Sequence, residues 1–182
     1  MKKTAALFVL SFILSFLFSY CNKDESSTEP PAPVCDQACQ DEHTAYGIVD
    51  VFWFVWNQNI AGQPVGAKDL TVNGPQGGSI HITGNTDVST STGINTLHLV
   101  FEFSNCKGIK EKYNLIFNGT MTADGTFSTT HYALTYASSQ MTYSGTVGKD
   151  DWVTPVQGNC AFTINQTLST VTGTICGRTF SY

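Results

Sequence analysis

The sequence predicts an α+β fold that is mostly β, in which a curved antiparallel sheet or open barrel of about seven or eight strands packs on one N-terminal helix. Apolar residues recur at helical spacing between residues 36 and 60, whereas later segments alternate apolar and polar residues and are rich in threonine and serine. The chain has 182 residues, 41% of them hydrophobic, which is enough for one sizeable core. We therefore expect a single globular domain over residues 35–182.

The predicted helix covers about residues 36–60. Its apolar positions, spaced by three, four or seven residues, include Cys39, Tyr46, Val49, Trp53, Trp56 and Ile60. Asp36 is a suitable N-cap, and Gly62 can end the helix. A strand is the alternative, because residues 51–55 are all β-branched or aromatic, but the length of the periodic stretch favours a helix. Residues 48–56 include a single polar side chain, so we expect the sheet to enclose the helix on nearly all sides.

The strands are predicted to form a β meander with one aromatic-rich face. Asp124-Gly125 is typical of a type I′ hairpin turn. A turn there would pair apolar residues three times, namely Tyr113 with Tyr136, Leu115 with Leu134 and Phe117 with Tyr132. A loop at residues 106–110 would set Phe101 opposite Leu115. A loop at residues 137–140 would continue the same apolar pairing into the next strand. Further strands are predicted at residues 79–83, 160–166, 170–176 and 179–181.

Aromatic residues of the helix and the sheet are expected to line the apolar interior. They are Trp53, Trp56, Phe101, Phe103, Tyr132 and Tyr136. The bulky side chains of the helix favour a filled interior. An interior that is only partly filled would instead leave a cavity of about 300 Å³ or more, as a carrier of an apolar ligand needs.

The first 34 residues differ in composition from the rest. Lys2 and Lys3 precede an uncharged apolar run over residues 4–20, and Cys21 follows at once. This pattern indicates an export signal over residues 1–20, although an uncleaved membrane anchor is the alternative. Residues 21–34 are polar, acidic and proline-rich, which is typical of an extended tether.

Export signal, cysteine and tether together resemble a bacterial lipoprotein precursor. The resemblance covers only the N-terminal segments and identifies no family for the globular part. It implies cleavage before Cys21 and lipid attachment to Cys21. It also implies that the protein is held on a membrane of the bacterial cell envelope, with the outer membrane as the expected location.

The net charge of −5 excludes the basic surface that nucleic-acid binding requires. Six of the 14 acidic side chains fall within residues 21–42. Because these charges lie in the predicted tether and at the start of the segment that follows it, they indicate a solvated segment and do not mark a cation site.

The cysteines suggest disulfides more than a metal site. Cys160 and Cys176 flank the last clear hairpin and are the expected pair, although the simplest register of that hairpin puts them on opposite faces. Cys35 and Cys39 could pair with each other or with Cys106. Zinc is not expected, because no second closely spaced Cys/His pair accompanies Cys35 and Cys39.

Three classes of function remain open. No common catalytic, metal-binding or nucleotide-binding motif is present, so we assign no catalytic residue and no cofactor, yet a triad assembled in space leaves no sequence motif and a hydrolase stays open. The favoured hypothesis is a lipid-anchored envelope lipoprotein with a non-catalytic, structural or interaction role. The alternative is a carrier or sensor of a hydrophobic small molecule or lipid. The expected partners are the membrane, through the anchor, and in the alternative an apolar ligand.

Overall fold

In the part of the chain that the structure describes, one helix is followed by eight antiparallel strands. The computed structural model describes residues 35–148 and 153–182. Helix α1 spans Gln37–Val55 and continues into a π-helical turn at Trp56–Ile60. The strands are β1 (Gly66–Asn73), β2 (Ser79–Val88), β3 (Asn95–Lys110), β4 (Tyr113–Phe127), β5 (Tyr132–Val147), β6 (Thr154–Gln166), β7 (Val171–Ile175) and β8 (Arg178–Ser181). All eight belong to one open sheet in the order β1 to β8, which confirms the predicted fold class.

The ends of α1 follow the local chemistry of the sequence. Asp36 is the N-cap, and its Oδ1 accepts a hydrogen bond of 2.9 Å from the backbone N–H of Cys39. After the π-helical turn the chain leaves the helix at Gly62, whose φ of +77° suits a residue without a Cβ. Sequence and structure therefore agree on where this element begins and where it stops.

The sheet curves around α1. The helix contacts β3, β4, β5, β6 and β8 on the same face of the sheet. That face carries the apolar half of each alternating strand, so the core lies between helix and sheet. The largest fully buried side chains are Tyr136, Phe52, Phe101, Phe117, Ile80, Ile82, Leu97, Leu99, Leu115, Met121, Leu134 and Met141.

One side of α1 is left uncovered by the sheet. Because the sheet is open, one strip of the helix faces solvent. Tyr46, Asp50 and Trp53 on this strip are half-buried, and Phe54 is 38% exposed. The predicted enclosure on nearly all sides therefore holds except along this strip, where an isolated apolar residue costs little.

The hairpin predicted at Asp124-Gly125 does not form. Both residues lie inside β4, and the chain turns at residues 128–131, so that Phe127 faces Tyr132. Asp124 contacts His98 across the strands, at 2.9 Å between its Oδ1 and the ring Nδ1. Gly125 has φ +132°, and a Cβ there would meet the carbonyl oxygen of Ala133 at 2.0 Å. The glycine is thus required for close strand approach and not for a turn.

The predicted pairings of β4 are wrong for the same reason. The observed partner of Leu115 is Gly145, that of Tyr113 is Val147 and that of Phe117 is Tyr143. The loops predicted at residues 106–110 and 137–140 belong to β3 and β5.

Three neighbouring strands carry register irregularities, at Phe103/Cys106, Gly119/Thr122 and Ser138/Met141. Such bulges bend long strands without ending them. In the sequence, the polar and glycine residues near these bends therefore resemble the residues of turns.

A buried ion pair joins the start of α1 to β8. The Asp41 carboxylate, with its side chain 4% exposed, accepts hydrogen bonds of 2.8 Å from Nε and from Nη2 of Arg178. The Asp41 carboxylate also holds the pKa of the Arg178 guanidinium above its usual value, chiefly through these hydrogen bonds. Gln37 donates a further hydrogen bond to Asp41 Oδ1. This contact fixes the last strand of the sheet on the helix.

We expect Arg178→Met to destabilise the fold by about 3 kcal/mol, because Asp41 would remain buried without its counter-ion. Asp41→Asn should cost less, since the 42% exposed Arg178 side chain can turn toward water. Arg178→Lys is the matched control and should keep part of the stability. Urea unfolding followed by circular dichroism measures all three changes. An Asp41→Asn loss as large as that of Arg178→Met would contradict this assignment.

Candidate functional site

Four irregular segments meet at one end of the domain. The π-helical turn at Trp56–Ile60 lies there because α1 ends there, and π-helical turns are frequent at functional sites. The connections at residues 89–94, 128–131 and 167–170 reach the same end because successive strands are antiparallel. Connections held on a rigid scaffold are where binding residues concentrate. This end of the domain is therefore the candidate site.

Four aromatic rings line a groove at this end, namely Trp53, Trp56, Phe127 and Tyr132. We call this site the aromatic groove. Phe127 meets both indoles edge to face, with ring centroids 5.2 Å from Trp53 and 4.9 Å from Trp56. Tyr132 lies 5.3 Å from Trp53. Trp56 and Phe127 are buried, whereas Trp53 and Tyr132 are half-buried and present part of their surface to solvent. Buried Phe127 thus supports the half-buried rings of Trp53 and Tyr132.

Gln166 is fixed at the edge of the aromatic groove by two hydrogen bonds. Its Oε1 accepts from Trp53 Nε1 at 3.1 Å and from the Tyr136 hydroxyl at 2.6 Å. An indole nitrogen can only donate, so the atom it contacts must be the amide oxygen. The amide nitrogen therefore points the other way, and among the described residues it has no acceptor. Burial raises the pKa of Tyr136, so its hydroxyl stays a donor at neutral pH.

The space beside the rings has two parts that share Trp53, Asn57 and Tyr132. One part has a volume of about 460 Å³ and the other about 380 Å³, within the usual range of small-molecule sites. Further residues along them are Thr92, Gly93, Asn95, Ser128, Thr129, Thr130, Gln166, Thr167 and Leu168. Among these described lining residues there is no Asp, Glu, Lys, Arg or His. The site is therefore aromatic, uncharged and rich in amide and hydroxyl groups.

The six aromatic residues predicted to line the interior divide into two sets. Phe101, Phe103, Trp56 and Tyr136 are buried in the core between helix and sheet. Trp53 and Tyr132 instead lie at the surface end of that core and line the groove. The structure thus brings Trp53, Trp56 and Tyr132 together, while Phe101 and Phe103 lie on β3, deeper in the core.

Several residues of the site were not singled out from the sequence. Phe127 is one of them, because the predicted turn at Asp124-Gly125 would place it inside the following strand. In the structure it is the last residue of β4. Gln166 is the last residue of the strand predicted at residues 160–166, and nothing in the sequence marks it as a site residue. Asn57 lies four residues after Trp53 on the helix, and this spacing could have drawn attention to it.

The cysteines form two disulfides in the described part of the chain, Cys35–Cys39 and Cys160–Cys176. The register conflict noted for the second pair disappears, since Cys176 lies in a tight turn with φ +51° beyond the end of β7 and is not a strand residue. Cys106 is a buried free thiol, and burial raises its pKa to about 12. It is therefore a poor nucleophile in the folded protein.

Cys35, Cys39 and His43 have donor atoms within 4.8 Å of one another. Burial lowers the pKa of His43, so its imidazole is neutral at neutral pH. The two sulfur atoms, however, are bonded to each other in the Cys35–Cys39 disulfide. Thiolates are the form of cysteine that binds metals, so the oxidised cluster offers a single good ligand.

A second surface groove lies beside α1 and the β3–β4 turn, and Asp50 and Lys110 in this groove are paired with each other. Asp50 accepts a hydrogen bond of 2.9 Å from the Tyr113 hydroxyl and pairs with Lys110 at 2.6 Å. Burial and the Asp50 carboxylate raise the pKa of Tyr113. Both carboxylate oxygens are thus engaged in holding the turn on the helix, which gives this groove a structural role.

No family model, curated protein or solved structure matches the chain. The predicted export signal (1–20), Cys21 and the tether (21–34) lie outside the described residues. Within residues 35–148 and 153–182, no helix is long and apolar enough to span a membrane.

We expect Trp56→Ala to destabilise the fold by about 3–5 kcal/mol, because the 7% exposed indole would leave a cavity in the core. Trp53→Ala should cost less, since part of this side chain already faces solvent. Phe54→Ala, on the exposed strip of the same helix, is the matched control and should cost little. Chemical unfolding of the three variants measures the order. Equal losses for Trp53→Ala and Trp56→Ala would contradict the distinction between groove surface and core.

Proposed function

We propose that the protein is a lipid-anchored lipoprotein of the bacterial cell envelope whose domain has a non-catalytic interaction role. Residues 1–20 export the chain, Cys21 carries the lipid, and residues 21–34 tether the domain to the membrane. The domain then acts through its surface. The observation that carries the second half of this proposal is the filled space between α1 and the sheet.

That space is occupied by side chains. Phe52, which is fully buried, lies at ring-centroid distances of 5.7 Å from Phe101 and 5.0 Å from Tyr136. Phe101 in turn stacks on Phe103 at 6.2 Å. The two grooves described above include none of Phe52, Phe101 and Phe103 among their lining residues. This packing supports a function carried out at the surface and weakens the case for a carrier with an internal cavity.

The position of the aromatic groove also supports an interaction role. The tether joins the domain at Cys35, next to the N-terminal end of α1, whereas the groove lies at the C-terminal end. A helix of 19 residues is about 28 Å long. The groove is therefore far from the point of attachment, and an anchored domain can present it to partners in the envelope.

We expect Cys21→Ala to release the protein from the membrane fraction, because the lipid can no longer be attached. Fractionation of bacterial cells and metabolic labelling with a fatty acid measure the location and the modification. Ser27→Ala, in the same predicted tether, is the matched control and should stay membrane-bound and labelled. A Cys21→Ala protein that remains in the membrane and is processed as before would show that the lipoprotein assignment is wrong.

We also expect long-chain fatty acids not to raise the melting temperature of the protein, because Phe52, Phe101, Phe103 and Tyr136 pack against one another in the space between α1 and the sheet. A ligand held in an internal cavity at one hundred times its Kd would add about 2.7 kcal/mol of stability. Thermal unfolding with and without palmitate makes this comparison. A clear increase that Phe101→Leu abolishes would support the carrier alternative.

A further inference from the structure

We propose that the aromatic groove is a binding site for a neutral oligosaccharide. The proposal rests on the interaction role proposed above and names the class of ligand. It depends on three properties of the groove: its partly exposed aromatic rings, the lack of charged side chains among its described lining residues, and the side-chain amide of Gln166, which two hydrogen bonds hold in place.

The exposed rings suit the apolar faces of sugars. A pyranose ring presents patches of C–H groups on its faces, and these pack on the face of an indole or a phenol ring. Trp53 and Tyr132 are half-buried, present part of their surface to the groove and are inclined to each other by 59°. Phe127, at 5.2 Å from Trp53, fixes the indole from behind. Rings held in this way lose little conformational entropy when a ligand binds.

The absence of charge selects for a neutral ligand. The chain carries a net charge of −5, yet the residues described along the groove include no acidic or basic group. A phosphate, a fatty-acid carboxylate or a uronate would lose hydration on binding and gain no counter-charge. A purely apolar ligand fits poorly as well, since Asn57, Gln166 and several Thr and Ser hydroxyls would lose water without gaining hydrogen bonds.

Gln166 supplies an oriented hydrogen-bond donor. Its oxygen is held by Trp53 and Tyr136, so its amide nitrogen has hydrogens to donate to a ligand. Asn57, which is exposed, lines both parts of the groove and adds an amide that can both donate and accept. Sugar hydroxyls both donate and accept, and therefore match this set.

An extended peptide is the other neutral polymer to consider, and the location argues against it. Peptides commonly bind β-proteins by adding a strand to a free sheet edge. The free edges of this sheet are β1 and β8, whereas the groove is built from the ends of α1, β4, β5 and β6. Backbone groups at these ends are tied into turns, as in the hydrogen bond from Ser128 N–H to the His131 carbonyl.

Titration of the full chain, purified in a polyoxyethylene detergent without a sugar headgroup, tests the proposal. The probes are cellohexaose, xylohexaose, mannohexaose and maltohexaose, with oligogalacturonate as the anionic counterpart and a neutral Gly/Ser/Thr peptide mixture as the peptide counterpart. Isothermal titration calorimetry measures affinity. We expect at least one neutral oligosaccharide to bind saturably and more tightly than both counterparts.

Variants locate the binding. Trp53→Ala should weaken it about tenfold or more, the effect of losing an aromatic anchor. Asn57→Ala should also weaken it, and because this side chain is exposed the variant stays folded even if Trp53→Ala does not. Phe54→Ala, an exposed aromatic residue outside the groove, is the matched control and should bind like wild type.

Three results would overturn the proposal. They are no binding of any neutral probe by the folded protein, binding that Asn57→Ala leaves intact, and binding of oligogalacturonate or of the peptides at least as tight as that of the sugars. Each is distinct from a failure of the lipoprotein proposal, which is read from the location of the Cys21→Ala protein in cells and not from purified material.

Discussion

The burial of α1 is the constraint on which the rest of the structure depends. Most sides of its second half are apolar, and Phe52 at its centre is fully buried. A flat sheet could cover only one side of such a helix, so the sheet has to curve around it. Long strands of 15 and 16 residues achieve this by bending at bulges in β3, β4 and β5. Burying one aromatic side chain of this kind contributes about 1.5–3 kcal/mol, so the helix strongly favours a curved sheet.

This constraint explains which parts of the fold could be predicted from the sequence. The helix, the alternating strands and the need for a concave partner follow from the period of the apolar residues, which depends on neighbours along the chain. The strand registers do not follow, because an inserted bulge residue shifts the alternation of a strand by one: buried residues alternate from Leu97 to Phe103 on β3, and the next one is Cys106. The turn predicted at Asp124-Gly125 is wrong for a different reason: these residue types are typical of a turn, but Gly125 is needed where β4 approaches Ala133 closely. Strand β1 is not predicted, because its alternating pattern contains only two bulky apolar residues, Leu70 and Val72. Both are half-buried at the sheet edge, where a longer apolar pattern is not needed.

The aromatic groove was less predictable than the fold, since its parts lie far apart in the sequence. Trp53 and Gln166 are separated by 113 residues and meet only because β6 ends beside the end of α1. Aromatic residues in an amphipathic pattern are usually core residues, and the sequence offers nothing that separates Trp53 from Trp56. The difference arises from the open sheet. Trp56 packs in the core against the sheet, while Trp53 lies on the uncovered strip of the helix.

The same ring cluster therefore serves stability on one side and recognition on the other. Trp56 and Phe127 are buried and meet each other edge to face. Phe127 in turn contacts Trp53 edge to face and Tyr132 in a tilted arrangement, and these contacts hold both rings at the surface. The turn at residues 167–170 is fixed by hydrogen bonds between Thr167 and Thr170, so the exposed Leu168 is presented from an ordered backbone. A surface ordered before binding loses little entropy when a partner arrives. Core packing at this end of the domain thus supplies the preorganisation that a small surface site needs in order to bind with useful affinity.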